Sequence, residues 1–291
     1  MPNLKDLKVR INSVKSTQKI TSAMKMVAAA KLRRAQESAE AARPYAEKME
    51  RMVADVGESI GGIEGAPPLL VGTGSTQTHL IVACTADRGL CGGFNGSVCR
   101  RAAGEVGDQE HAADLVTVGK KGRDYFNSRG YSIICDHADV FRTPPVFSRA
   151  EEIAADLTER FASGATDRVL LVFSRFQSLA RQEPIARQLL PIVPDDAEKE
   201  KSGVNDYIFE PSPARLLEVL VPRYVNFQVW RALLESSAGE QAARMTAMDN
   251  ASKNAGELIE ELTQEMNKER QSNITLELMD IVGGAEAVSQ S

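Results

Sequence analysis

Met245, Met248, Ser252, Ala255, Ile259, Leu262 and Met266 recur at alternating spacings of three and four. That is the period of a helix face packed lengthwise against another helix. Ser212 and Pro213 supply an N-cap and a first-turn proline, and ITLELMDIV (274–282) continues the apolar pattern. Pro222 predicts a kink, and no proline follows it. From Ser212 the pattern covers ~70 residues, or ~105 Å of helix. A helix this long exceeds what a globular core needs, so it must find a companion along its length.

Residues 3–56 offer one. Leu4, Leu7, Ile11 and Val14 follow the same seam, with Lys and Arg between them. The pattern stutters through Thr17, Ile20 and Met24, then resumes at Tyr45, Met49, Met52 and Val56. Pro44 predicts a bend or break in this ~80 Å segment. Residues 1–34 carry nine basic residues and one acid, whereas residues 240–291 carry four basic and ten acidic, within a net charge of −5. Opposite charge fits ends that meet, and a globular domain between them requires them to run antiparallel. Each exposed ion pair is worth only ~0.2–1 kcal/mol, so the charges set register and orientation.

Between the helices, residues 57–77 (GESIGGIEGAPPLLVGTGSTQ) read as a linker. HLIVACT (79–85), LVTVG (115–119), YSIIC (131–135) and DRVLLVFSRF (167–176) are short apolar runs suited to strands buried on both faces. PIARQLLPIV (184–193) would return as a hairpin partner, and DDAEKEKSG (195–203) reads as a solvated loop. Helices are expected near 95–107, capped further on at 120–129 by Gly130, and from a capping box at Ser148–Glu151 to near Gly164. The expected fold class is α/β: a long antiparallel coiled coil of the terminal helices with a small Rossmann-like α/β domain inserted between them. Its parts are residues 1–56, a linker at 57–77, the α/β domain at 78–211 and the second helix at 212–291.

Several functions lack their chemistry. No apolar run reaches the ~20 residues that span a bilayer. MPNLKDLKVRI lacks the apolar stretch of a secretory signal and disfavours an attached transit peptide. Cys84, Cys91, Cys99 and Cys135 show no zinc spacing and read as reduced, structural thiols. His79, His111 and His137 are scattered, and VGKKGRD (118–124) is an ordinary strand-to-helix turn. DRGLCGGFNG (87–96) is the most site-like stretch, but its glycine spacing suits a tight turn or a protein contact better than a phosphate cradle. The basic arm could bind nucleic acid, yet residues 1–44 contain no aromatic residue to stack on bases. A coiled-coil scaffold with a nucleic-acid-binding arm is the alternative reading, and an enzyme on the α/β domain a third.

STQKITSAMKMVAAAKLRRAQ (16–36), DRGLCGGFN (87–95), SAGEQAARMTAMDNASKNA (237–255) and NKERQSNITLELMDIVGGAEAV (267–288) occur in this order. Together they resemble the signatures of the gamma subunits of F-type ATP synthases. The resemblance spans the chain and implies a central rotating shaft. The two helices would turn inside a collar of alternating alpha and beta subunits, with the α/β domain against an epsilon-type subunit and the membrane c-ring. Proton flow would turn the shaft and drive the catalytic beta subunits through their conformations, so ATPase activity and proton flow are linked through it. No catalytic residue, cofactor or nucleic-acid partner is then expected. The chain would lie at the cytoplasmic face of a bacterial plasma membrane, peripheral and held through partners.

The resemblance also implies residue roles. Lys19, Lys25, Lys31, Arg33 and Arg34 would face acidic beta-subunit loops, with Met24, Arg270 and Gln271 as further beta contacts. Ile281 and Val282 would form an apolar bearing tip, and Asp87, Arg88, Gly89, Gly92 and Gly93 the loop of the rotor foot. Ala28, Ala29 and Ala30 would give a smooth face for turning. The redox cysteine pair of plant relatives has no counterpart, since residues 195–211 contain no Cys.

Overall fold

The run HLIVACT forms the central strand β1 (Thr78–Cys84), every residue of which beyond Thr78 is buried. In the computed structural model, which describes residues 4–59, 68–107, 112–179, 181–192, 210 and 212–289, it is flanked by parallel strands on both sides. These are β2 (Ala112–Val118) and β4 (Arg168–Phe176). β3 (Ile133–His137) extends the sheet beyond β2 in parallel, and β5 (Gln182–Leu190) closes the other edge as the antiparallel partner of β4. The order is β3-β2-β1-β4-β5. Parallel strands need crossover helices. Here they are α3 (Phe94–Val106), α4 (Lys120–Asn127) and α5 (Phe147–Ala162). A short helix, α2 (Pro68–Val71), precedes β1. The terminal helices are α1 (Leu4–Ser59) and α6 (Pro213–Ser289).

The chain divides into two compact units, Met1–Val27 with Met245–Ser291, and Ala28–Arg244. In the larger unit, period-two alternation sends Leu80 and Val82 to one face of the sheet and Ile81 and Ala83 to the other. The first face packs on α5 (Ile153, Leu157), on α1 (Met49, Val53) and on α6 (Leu217, Val221). The second packs on Val98, Cys99 and Phe126 of α3 and α4. Each such side chain contributes roughly 1.5–3 kcal/mol on burial. In the smaller unit the two helices run antiparallel: Leu7 and Ile11 pack on Leu262, Gln18 Nε2 donates to the Ser252 carbonyl, and Lys25 Nζ meets Asp249 Oδ1 at 2.6 Å.

Three local expectations are corrected. The break expected at Pro44 does not occur: Pro44 lies inside the continuous α1, and Pro222 inside the continuous α6. Both are exposed, so water can satisfy the carbonyl that loses its amide partner. The stutter at Thr17, Ile20 and Met24 is no stutter. The three-four seam continues through Gln18, Thr21 and Lys25 while Ile20 points to solvent, because polar side chains occupy the seam and hide it from an apolar search. The capping box at Ser148 does not form. α5 starts at Phe147 after Val146, with no side-chain cap. Val146 is extended, with φ −115° and ψ 148°, and Phe147 packs edge-on against Trp230 with centroids 5.9 Å apart. Loop 195–203 and His111 lie outside the described residues.

Candidate functional site

Doubly wound sheets bind ligands beyond the carboxyl ends of their strands, where the strand order reverses. Here that point lies between β1 and β4, and the loop after β1 is DRGLCGGFN. The loop is tied inward. Asp87 Oδ1 accepts the amides of Lys120 and Asp139, and Oδ2 accepts that of Phe141 at 2.7 Å. Asn95 Oδ1 accepts the Ala86 amide, while its Nδ2 donates toward Cys91 Sγ. Leu90 and Gly92 turn the chain with positive φ.

α6 fills the crevice. Ala243 packs on Ala86, Cys91 and Phe94. A Cβ on Gly239 would stand 3.2 Å from Ser174 Oγ and 3.3 Å from Phe94, so the helix approaches the strand ends as closely as a glycine permits. Arg244 Nη2 donates to the Gly89 carbonyl at 3.2 Å and pairs with Glu240 Oε1 at 2.7 Å. Burial pushes the Glu240 carboxyl above the ordinary value, and Arg244 opposes that shift. The place where such a fold takes a nucleotide is therefore occupied by the protein's own helix. Sequence reasoning missed Gly239, Glu240 and Arg244, because their role depends on α6 returning to β1.

The P-loop lookalike is structural. Gly119 has φ +93, and a Cβ there would stand 2.1 Å from the Thr85 carbonyl oxygen. Thr85 Oγ1 accepts the Gly122 amide at 2.7 Å, locking α4 to the end of β1. The thiols behave as structural groups too: burial drives Cys84 and Cys99 up to about 12. A cleft of about 410 Å³ is lined by Glu40, Arg43, Arg175, Phe227, Arg231 and Glu235. Two of its cations are already engaged, Arg175 by Glu183 and Arg231 by Glu235.

The residues expected to meet beta subunits differ in exposure and in their partners. Lys19, Lys31, Arg33 and Arg34 are exposed, Met24 and Lys25 half-buried. Lys25 is held by Asp249, and Arg33 by Glu37 one turn along its own helix. Val9, Ser13, Ser16, Ile20, Ala23 and Val27 form an exposed stripe of apolar and small residues on α1. The three alanines do not share a face: Ala28 is buried, Ala29 half-buried and Ala30 exposed, as about 100° per residue requires. Arg270 and Gln271 are exposed on α6. Beyond them Ile274, Leu276, Leu278, Met279, Ile281 and Val282 are 49–68% exposed. Arg88, Gly92 and Gly93 face solvent, whereas Asp87 is buried and Gly89 is held by Arg244.

The described residues thus comprise a pair of antiparallel terminal helices and an α/β sheet whose crevice is closed by its own chain, the elements of a central-stalk type of fold. The ATP synthase family model matches residues 3–288. The ATP synthase gamma chains of Brucella ovis and Brucella abortus are each 47% identical over 293 residues, covering 99% of this chain and 100% of theirs. The chain belongs to the ATP synthase gamma-subunit family. A chain from the central stalk and c-ring of the Tetrahymena thermophila mitochondrial ATP synthase is 28% identical. It aligns with a TM-score of 0.61, over 80% of this chain and 99% of that one. A chain of the Euglena gracilis mitochondrial enzyme shares the fold at a TM-score of 0.67 and 22% identity, over 98% and 94%.

Proposed function

We propose that this chain is the turning shaft that couples ion flow through a membrane rotor to the catalytic cycle of the beta subunits, and so links ATPase activity to proton flow. The observation that carries the reading is the far end of α6. Six large apolar side chains between Ile274 and Val282 are exposed there, on a helix that continues past its packed seam at Leu262. Exposed apolar surface of this kind marks an interaction site. A surrounding collar of alpha and beta subunits covers it, with Ile281 and Val282 as the bearing tip. Met24, Arg270, Gln271 and the basic residues Lys19, Lys25, Lys31, Arg33 and Arg34 face the beta loops. An epsilon-type subunit and the c-ring meet the α/β domain, with the 87–93 loop in the foot. Attachment to the membrane runs through these partners, at its cytoplasmic face; among the described residues no helix is long and apolar enough to cross a membrane. The functional parts follow the helix, linker, α/β domain and helix at 1–56, 57–77, 78–211 and 212–291.

The test is purification of the tagged chain from detergent-solubilised membranes, with Met24→Glu and Arg270→Glu beside the wild type. Co-purification of an ATPase complex, with ATP synthesis reduced in both variants at unchanged chain abundance, is expected. A lone chain, or variants that lose only abundance, would overturn the reading.

A further inference from the structure

β3 is an edge strand, and Cys135 and His137, two residues apart, point to the same face of it. Asp136 between them points the other way, where it accepts from Thr117 Oγ1 and Arg123. α5 lies over the Cys135–His137 face and brings Asp156 to it. Cys135 Sγ and His137 Nε2 stand 3.6 Å apart, and His137 Nε2 and Asp156 Oδ2 also 3.6 Å apart. One donor atom from each of the three residues lies within 4.8 Å of the others.

The His137–Asp156 separation is too long for a hydrogen bond. It is close to what a shared cation requires. A tetrahedral zinc ion with ligand distances of about 2.3 Å to sulfur and about 2.0–2.1 Å to nitrogen and oxygen sets sulfur–nitrogen edges of about 3.6 Å and nitrogen–oxygen edges of about 3.3 Å. Asp156 supplies a second, independent sign. Its Oδ1 is engaged by Arg160 Nε at 3.0 Å, whereas its Oδ2 is enclosed and accepts no hydrogen bond. Arg160 thereby fixes the carboxylate with one oxygen turned toward the sulfur and the imidazole, as outer partners of metal ligands do.

The geometry points to a binding site for a borderline-soft divalent cation of the zinc class, formed by Cys135, His137 and Asp156. Thiolate, imidazole and carboxylate together select such an ion over magnesium or calcium, which prefer oxygen alone. On binding, a sulfur–metal bond forms and the Cys135 proton passes to water, with no change in oxidation state. The bound ion would pin the edge strand to α5 and stiffen that side of the α/β domain.

Cobalt(II) is the probe, added to the metal-free, reduced full-length chain. One equivalent should bind, giving a thiolate-to-cobalt charge-transfer band and the visible absorption of a tetrahedral ion, both removed by zinc. Cys135→Ser should abolish the charge-transfer band. Asp156→Asn, which leaves the thiol in place, should weaken binding about tenfold or more while keeping the apo chain folded. Zinc should raise the Tm of the wild type and not of Cys135→Ser. No charge-transfer band at stoichiometric cobalt, or a band that survives Cys135→Ser, would overturn the assignment.

Discussion

Arg244 Nη2 sits 2.7 Å from Glu240 Oε1 and, from the same nitrogen, donates to the Gly89 carbonyl, so one guanidinium joins α6 to the loop after β1. The pair is buried, with side-chain exposures of 12% and 4%. Removing one partner of such a pair strands the other charge, at a cost of about 3–5 kcal/mol. Arg244→Met should therefore destabilise the chain strongly, and Arg244→Met with Glu240→Gln should recover much of the loss. Burial already raises the Glu240 carboxyl, and Arg244 holds that rise down. Without Arg244 the folded state retains a proton that the unfolded state has released. Stability of the single variant should then fall as pH rises above ~4.3, where an unperturbed Glu ionises. The double variant should lack that slope. Urea titrations across pH check both statements.

Gly119→Ala should be among the most damaging small substitutions in the α/β domain. The added Cβ meets a backbone oxygen at 2.1 Å, and φ is +93. The loss should exceed about 3 kcal/mol, since strain and overlap add. Gly130→Ala is the comparison: φ is +75, but a Cβ there meets nothing, so about 1 kcal/mol is expected. The urea midpoints of the two variants, at unchanged m-value, measure the difference.

Asp167 fastens the entry to β1. Its carboxylate accepts the hydroxyls of Thr73 and Thr78 and the amides of Gln77 and Thr78. Those bonds, that of Thr73 foremost, hold its carboxyl well below the ordinary range. The stabilisation is fully present above the unfolded value of ~3.9 and is lost as pH falls through the folded value. Asp167→Asn should cost about 1–3 kcal/mol at neutral pH. It should also flatten the acid limb of the stability profile below pH ~4, read from thermal unfolding at stepped pH.

Shortening α6 tests its far end. Residues 274–283 are exposed, so ending the chain after Asn273 should leave its thermal unfolding nearly unchanged. Under the proposed shaft role, stepwise truncation should weaken assembly with the catalytic subunits gradually. Native mass and ATPase activity of the purified complex distinguish that from an abrupt loss in a fully assembled one.

The strands illustrate what a linear pattern reveals. HLIVACT and DRVLLVFSRF lie within one residue of β1 and β4 at each end, because strands buried on both faces need continuous apolar runs, whereas LVTVG marks only the buried half of β2, whose first three residues are not buried. Gly130, with positive φ, closes α4 by the Tyr131 amide bonding to the Phe126 carbonyl, a helix ending written in one residue. The seam was harder to read. Leu7, Ile11, Leu262 and Met248 announce themselves, but Gln18, Thr21 and Lys25 occupy the same face without an apolar signal.

Linear pattern was enough for the long terminal helices, their opposite charge, the inserted parallel sheet and the family, since each depends on local periodicity or on motifs contiguous in the chain. Folding in three dimensions was needed to show that α6 closes the crevice beside DRGLCGGFN, that Ala28, Ala29 and Ala30 point three ways, and that Cys135, His137 and Asp156 converge. Those outcomes join residues of different elements, some more than a hundred positions apart, or depend on which side of a helix the core covers. No local preference encodes such a meeting; it is set by which faces the core leaves adjacent.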